Sequence, residues 1–216
     1  MYRVPSLPHV GAFVVASLVL LVTPGPAVLF ILARSGAHGP RAGFVSVLGV
    51  HTASVLHVVA AVAGLSAILV ASASAFTFVK IMGGVYLIHL GLRTLTSARS
   101  MEPGRAPDDP TARRLFVEGM TINLLNPKVA LFFLAFLPQF VDASDAPVWS
   151  QTLLLGLLYV LVGSVTDGAY ALVGGRVGAW MSRRTTATVR ASRLTEGGVL
   201  IGLGALTLAV PHRPRP

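Results

Sequence analysis

The chain has 216 residues, 54% of them hydrophobic and only 12% charged, with a net charge of +9 and no cysteine, and its mean hydropathy is +0.75. A soluble globule carries about a quarter of its residues as charges, so this balance excludes that class and points to an all-α integral membrane protein. No thiol nucleophile, disulfide framework or Cys-built zinc site is available, and the basic residues lie in short stretches between apolar runs rather than in a nucleic-acid-binding patch.

A spanning helix needs about 20 mostly apolar residues. Six runs qualify, at residues 10–33, 44–70, 76–97, 116–140, 152–174 and 195–210. The first continues past Pro26 to Ala33, beyond the length of a signal-peptide core, and reads as a span rather than a cleaved leader. Arg34 and Arg41 follow the first span. Arg93, Arg99, Arg105, Arg113 and Arg114 surround the end of the third, and Arg176, Arg183, Arg184, Arg190 and Arg193 follow the fifth. The opposite side has only Arg3, Lys80, Arg213 and Arg215. Cytoplasmic loops hold the excess of Lys and Arg, so both termini are expected outside. Residues 99–115, with Pro103, Pro107 and Pro110, read as a cytoplasmic linker between a first three-helix unit at 1–98 and a second at 116–216.

An internal likeness supports that division. Gly83–Leu95 reads GGVYLIHLGLRTL and Gly197–Leu208 reads GGVLIGLGALTL, which align if Tyr86 is skipped. Units of three spans are odd-numbered, so the second would be inverted relative to the first, a common transporter plan. Shared glycine and leucine content is the competing explanation.

The two units are interrupted at corresponding places. The fourth span contains Asn126-Pro127-Lys128, and the first contains Thr23-Pro24-Gly25-Pro26. Proline removes a hydrogen bond to the carbonyl four residues back, here those of Asn123, Leu20 and Val22. A freed polar group in hydrocarbon must find a partner in protein or in a wet cavity, and a lysine at that depth is costly enough to suggest function. A half-helix that starts mid-membrane also presents unpaired N–H groups and a positive dipole end suited to a carboxylate. Thr23, Pro24, Gly25, Pro26, Asn123, Asn126, Pro127 and Lys128 are therefore the expected substrate site. Two packing kinks would be the plainer reading, and Asn123 could either mend its break or touch substrate.

Asp167 lies about 10 Å inside the fifth span. It reads as a proton carrier, as a ligand for a substrate ammonium, or as a cap near the cytoplasmic mouth. His51 and His57 are six residues apart and so not on one helix face, which argues against a metal pair; with His89 they read as hydrogen-bonded interior histidines. Gln139 is expected at the interface and Lys80 at the outer surface. Gly174-x-x-x-Gly178 and Gly198-x-x-x-Gly202 would allow close helix approach, leaving a homodimer open. Asp167-Gly168-x-x-Ala171 resembles the start of a membrane phosphotransferase motif, but Leu172 stands where arginine is needed. No other catalytic motif is present, so no enzyme activity, cofactor or metal is expected.

These residues together resemble the LysE/RhtB family of bacterial amino-acid exporters. The match is carried by Thr23-Pro24-Gly25-Pro26, by Leu48 to His57, by Tyr86-Leu87 with Gly91 and Arg93-Thr94-Leu95, and by Gly119 through Asn126-Pro127-Lys128 to Phe140. The resemblance implies export of amino acids or derivatives across the bacterial inner membrane, driven by the proton gradient. A passive channel of the same architecture is the alternative. Some members have an acidic residue near the position of Ser54. If that group binds cation or substrate, Asp167 is the candidate to replace it.

Overall fold

The computed structural model describes residues 7–71, 73–96, 110–141, 146–182 and 186–209. Most of the 99–115 linker, the terminal arginines and the Lys80 side chain fall outside the described part. All regular structure among the described residues is helical: α1 Leu7–Val22, α2 Pro26–His38, α3 Pro40–Ala71, α4 Ala73–Thr96, α5 Ala112–Leu124, α6 Pro127–Leu131, α7 Val148–Ser182 and α8 Thr186–Ala209. After α6 the chain continues through a π-helical turn, Phe132–Phe136, and a 3₁₀ turn, Leu137–Phe140.

Proline sets where several of these helices start. Pro26, Pro40 and Pro127 each open a helix, a position where the missing N–H costs nothing. Pro138 lies where the π turn gives way to the 3₁₀ turn. Gly39, with φ +83°, lets the chain reverse between α2 and α3 while its N–H closes on the Ser35 carbonyl.

Pro40–Gly64 of α3 and Val148–Gly174 of α7 are each long and apolar enough to cross a bilayer. The pairs Val10–Val22 with Pro26–His38, and Ala112–Leu124 with Pro127–Phe140, qualify only as broken units bent by 54° and 49°. Helices α4 and α8 run alongside each other, and the apolar stretch of α8, Leu194–Ala209, is shorter.

Glycines set the close crossings, because only a missing side chain lets backbones approach this far. A Cβ on Gly49 of α3 would collide with the Phe116 carbonyl of α5, and one on Gly119 of α5 would stand 2.7 Å from the Ser46 carbonyl of α3. The α4/α8 contact is reciprocal. Gly91 faces the Gly197 carbonyl and Ile201, while Gly204 faces the Gly84 carbonyl and Ile88; a Cβ on either Gly91 or Gly204 would stand 2.7 Å from the facing oxygen. Gly84 meets Leu208 and Gly197 meets Leu95. Every partner exchanges at one constant sequence offset, so the two helices cross about a local two-fold axis. Gly84, not Gly83, corresponds to Gly197, and the skip at Tyr86 is unnecessary. Gly198 and Gly202 are exposed with no neighbour around them, so the close-approach role expected of that pair belongs instead to Gly197 and Gly204.

Two apolar clusters flank the breaks. The larger joins Phe13, Leu20 and Leu21 of α1 to Phe132, Phe136, Leu155 and Tyr159. The smaller joins Ala27 and Ile31 of α2 to Val47, Val50 and Ala171. Gly49→Ala should lower stability by roughly 1–3 kcal/mol through overpacking, whereas Gly202→Ala should not lower it. Thermal unfolding of the two variants in detergent checks this; equal melting temperatures would mean that the α3/α5 crossing is not as close as described.

Candidate functional site

Lys128 joins the two breaks. It is the second residue of α6 and only 6% exposed. Its Nζ donates to the Thr23 carbonyl at 2.9 Å. The ammonium after one broken helix thus satisfies a carbonyl in the break of the other. Other groups at the breaks are mended in the same way. The Tyr170 hydroxyl donates to the Val22 carbonyl at 3.0 Å, the one released by Pro26. The Asn123 carbonyl, released by Pro127, accepts from the Asn126 N–H at 3.1 Å and lies 3.3 Å from His57 Nε2. The Asn123 side chain reaches to α3, donating to the Val50 carbonyl at 2.8 Å and to Ser54 Oγ at 2.9 Å.

The two half-helix starts differ. Gly25 caps α2 without a side-chain hydrogen bond, and the next residues, Ala27 and Val28, line the cavity beside it. Their N–H groups belong to the first turn, which has no intrahelical acceptors. At α6 the Asn126 side chain accepts from the Lys128 N–H at 3.1 Å, so that end is already capped. A carboxylate looking for free N–H groups would find two at α2, on Ala27 and Val28, and only that of Val129 at α6.

Thr23, Gly25, Asn123, Asn126, Lys128 and Asp167 all line one cavity of about 30 Å³ between the breaks, room for one or two waters and too small for an amino acid. Pro24, Pro26 and Pro127 shape the breaks and are not among the lining residues. His51, Ser54 and Tyr159 complete the polar part of the lining. Ser54 and Asp167 thus face the same space.

Asp167 is 3% exposed, so it is neither a cap nor a solvated group at a mouth. Its Oδ2 pairs with His51 Nε2 at 3.1 Å. Asp167 Oδ1 and His51 Nδ1 are both buried with no hydrogen-bond partner among the described residues. His51 is interior and hydrogen-bonded, as the sequence suggested, with Asp167 as its partner at the cavity. His57 is half-buried and stacks on Phe133 with centroids 6.1 Å apart. His89 is exposed beside Tyr86 rather than interior, because it falls on the face of α4 turned away from α8. Gln139 donates to Thr207 Oγ1 at 2.7 Å and so ties the 3₁₀ turn to α8. No three histidine, aspartate or glutamate side chains converge among the described residues, so the His51–Asp167 pair lacks the donor set of a metal centre.

The α2/α5 end is closed by charge. Arg34, 7% exposed, pairs with Glu118 at 2.9 Å, and Arg114 pairs with the same carboxylate at 2.8 Å. Ser35 Oγ donates to the Ala171 carbonyl, and Gly43 and Gly174 pack against the Ser35 side chain.

Reasoning from the sequence passed over Glu196, which is buried on α8 against Gly25 and under the charge of Lys128. It stands at the head of an apolar run, where an acid normally marks the membrane surface. No local signal distinguishes it.

Apolar helices whose two breaks meet at a buried, charged cavity have the architecture of a membrane transport protein. Residues 18–210 match the LysE type translocator family, and the chain belongs to that family; it is a translocator, not an enzyme. A homoserine/homoserine lactone efflux protein of Salmonella typhimurium is 29% identical over 93% of this chain and 96% of its own length. An uncharacterized membrane protein of Pseudomonas aeruginosa is 30% identical over 90% of this chain and 88% of its own length. One of Vibrio cholerae is 26% identical over 90% and 94%. No solved structure matches.

The buried pair is testable as a unit. His51→Ala and Asp167→Ala should each lower stability by about 1–3 kcal/mol by leaving a polar partner unpaired, and the double variant should cost less than the sum by at least about 0.5 kcal/mol. Chemical unfolding of the four proteins reads this directly, and strict additivity would deny the coupling.

Proposed function

We propose that this chain is a bacterial inner-membrane exporter of small amino acids or their derivatives, homoserine and homoserine lactone first among them. In this reading six spans form two inverted three-helix units, 1–98 and 116–216, joined by a cytoplasmic linker, with both termini outside. The observation that carries it is the meeting of both broken helices at one buried cavity through the Lys128–Thr23 hydrogen bond. The reciprocal α4/α8 contacts favour the inverted pairing. The relatives named for efflux of homoserine and its lactone favour that substrate class.

Transport alternates between two openings of the cavity. The ion pair of Arg34 with Glu118 must separate for cytoplasmic entry, and the cluster around Phe13, Phe132 and Phe136 must part for release. Substrate carboxylate or carbonyl docks at Lys128 and the free start of α2. The His51–Asp167 pair carries the coupling proton, since it is buried, faces the cavity and has one unused polar atom on each partner. A proton on either group alters a charge balance that Lys128 shares.

Cells overproducing the protein should resist toxic amino-acid analogues and accumulate exported homoserine in the medium. A protonophore should abolish accumulation against the gradient, and equilibration that persists without a gradient would favour a channel. Lys128→Ala should lose nearly all export while still inserting; normal export by that variant would remove the lysine from the mechanism.

The absence of native cysteine makes topology directly measurable. Trp149→Cys should react with an impermeant maleimide on intact cells, and Arg41→Cys only after permeabilisation. The reverse pattern would invert the proposed orientation.

A further inference from the structure

Glu196 lies against Gly25 of the first break, next to the residues that line the cavity but not among them, and among the described residues its carboxylate has no partner. It is 7% exposed, and among the described residues it makes no hydrogen bond and no ion pair. Lys128 acts on it by charge, yet the two are not within the 4.0 Å of an ion pair. The space between them is defined by Gly25. A Cβ there would stand 3.5 Å from Glu196 Oε1 and 3.5 Å from Lys128 Nζ, an ordinary contact with both. Both charged groups therefore lie against Gly25, and the two are farther apart than an ion pair.

Lys128 has three N–H donors and spends one on Thr23. The Glu196 carboxylate spends none of its acceptor sites. A ligand head that fits between them must accept from an ammonium and donate to a carboxylate through atoms a few ångströms apart. An α-amino acid does this with its carboxylate and ammonium, and an amino lactone with its carbonyl and ammonium. Asp167, the other acid at the site, is engaged with His51. We propose that Glu196 is the residue that binds the substrate ammonium, opposite Lys128, and that position 25 is glycine to keep the gap between them open. This rests on the exporter reading above and adds to it a specificity determinant for a free α-amino group.

Gly25 supplies a clean probe. Its φ of −112° and ψ of −172° suit alanine, and the new methyl would meet no clash, so Gly25→Ala should fold normally while filling the gap. Purified wild type, Gly25→Ala and Glu196→Gln are compared in liposomes for transport of L-homoserine, and in detergent for thermal stabilisation by L-homoserine and by 4-hydroxybutanoate, its deaminated analogue. If the wild type moves another amino acid better, that amino acid and its deaminated analogue replace the pair.

Both variants should lose at least about tenfold in apparent affinity for the amino compound, as expected for a lost charge-assisted hydrogen bond. Affinity for the deaminated analogue should be unchanged in Glu196→Gln. Retention of amino-compound affinity within about twofold in both variants, or equal loss of both ligands in Glu196→Gln, overturns the assignment. Should Glu196→Gln fold poorly, Glu196→Met, neutral and of similar length, takes its place with the same expected and overturning outcomes. A wild type that binds and moves no amino compound overturns the exporter reading and this assignment with it.

Discussion

The hydrogen bond from Lys128 to the Thr23 carbonyl is the constraint on which the rest depends. Each broken helix is unsatisfactory alone. The first leaves carbonyls without donors, and the second brings an ammonium into the membrane, which costs about 2.5–3.5 kcal/mol on insertion scales. Together they cancel: the surplus donor of one meets the surplus acceptor of the other. The chain must therefore bring residues 105 positions apart in sequence into contact, and once it does, both breaks and the cavity between them are located.

The helices around this junction serve it in different ways. Helices α3 and α7 are continuous and apolar, so they provide the walls against which the bent pairs lean. Where they face the cavity they carry groups that pair with each other, His51 and Asp167, at the cost of leaving one polar atom on each unsatisfied. Such a half-satisfied pair is a poor device for stability. On either side of it the bundle closes by unlike means: aromatic packing on the α1 side and a three-membered charge cluster at the α2/α5 end. Interactions of these two kinds respond to different events, which suits a cavity that opens to one side at a time.

Much of this site was legible in the chain. Proline and an intramembrane charge act through local chemistry, so Thr23-Pro24-Gly25-Pro26 and Asn126-Pro127-Lys128 announce themselves without any knowledge of packing. Asp167 did so for the same reason. His51 was recognised as interior, yet its partner lies 116 residues away, and nothing local distinguishes it from His57 or from the exposed His89. The α4/α8 register was misread by one position because consecutive glycines at 83 and 84 offer two alignments, and only the contact of Gly84 with Gly204 separates them. Gly198 and Gly202 matched a packing motif but point outward. Spacing tells which residues share a helix face, not which face meets a neighbour.

By itself, the sequence determined that the chain is helical and apolar enough for a membrane, where its helices break, and that Lys128 and Asp167 lie within apolar runs. These follow from length, hydropathy and backbone chemistry, all properties of short stretches. Only the tertiary structure decided that the two breaks touch, that Lys128 spends a donor on Thr23, that Asn126 caps the Lys128 N–H of its own half-helix, and that Glu196 turns inward. The physical reason is that burial and pairing belong to two residues at once. An acid at the head of a helix is a surface group or a site group according to what packs beside it, and that neighbour is named by the fold.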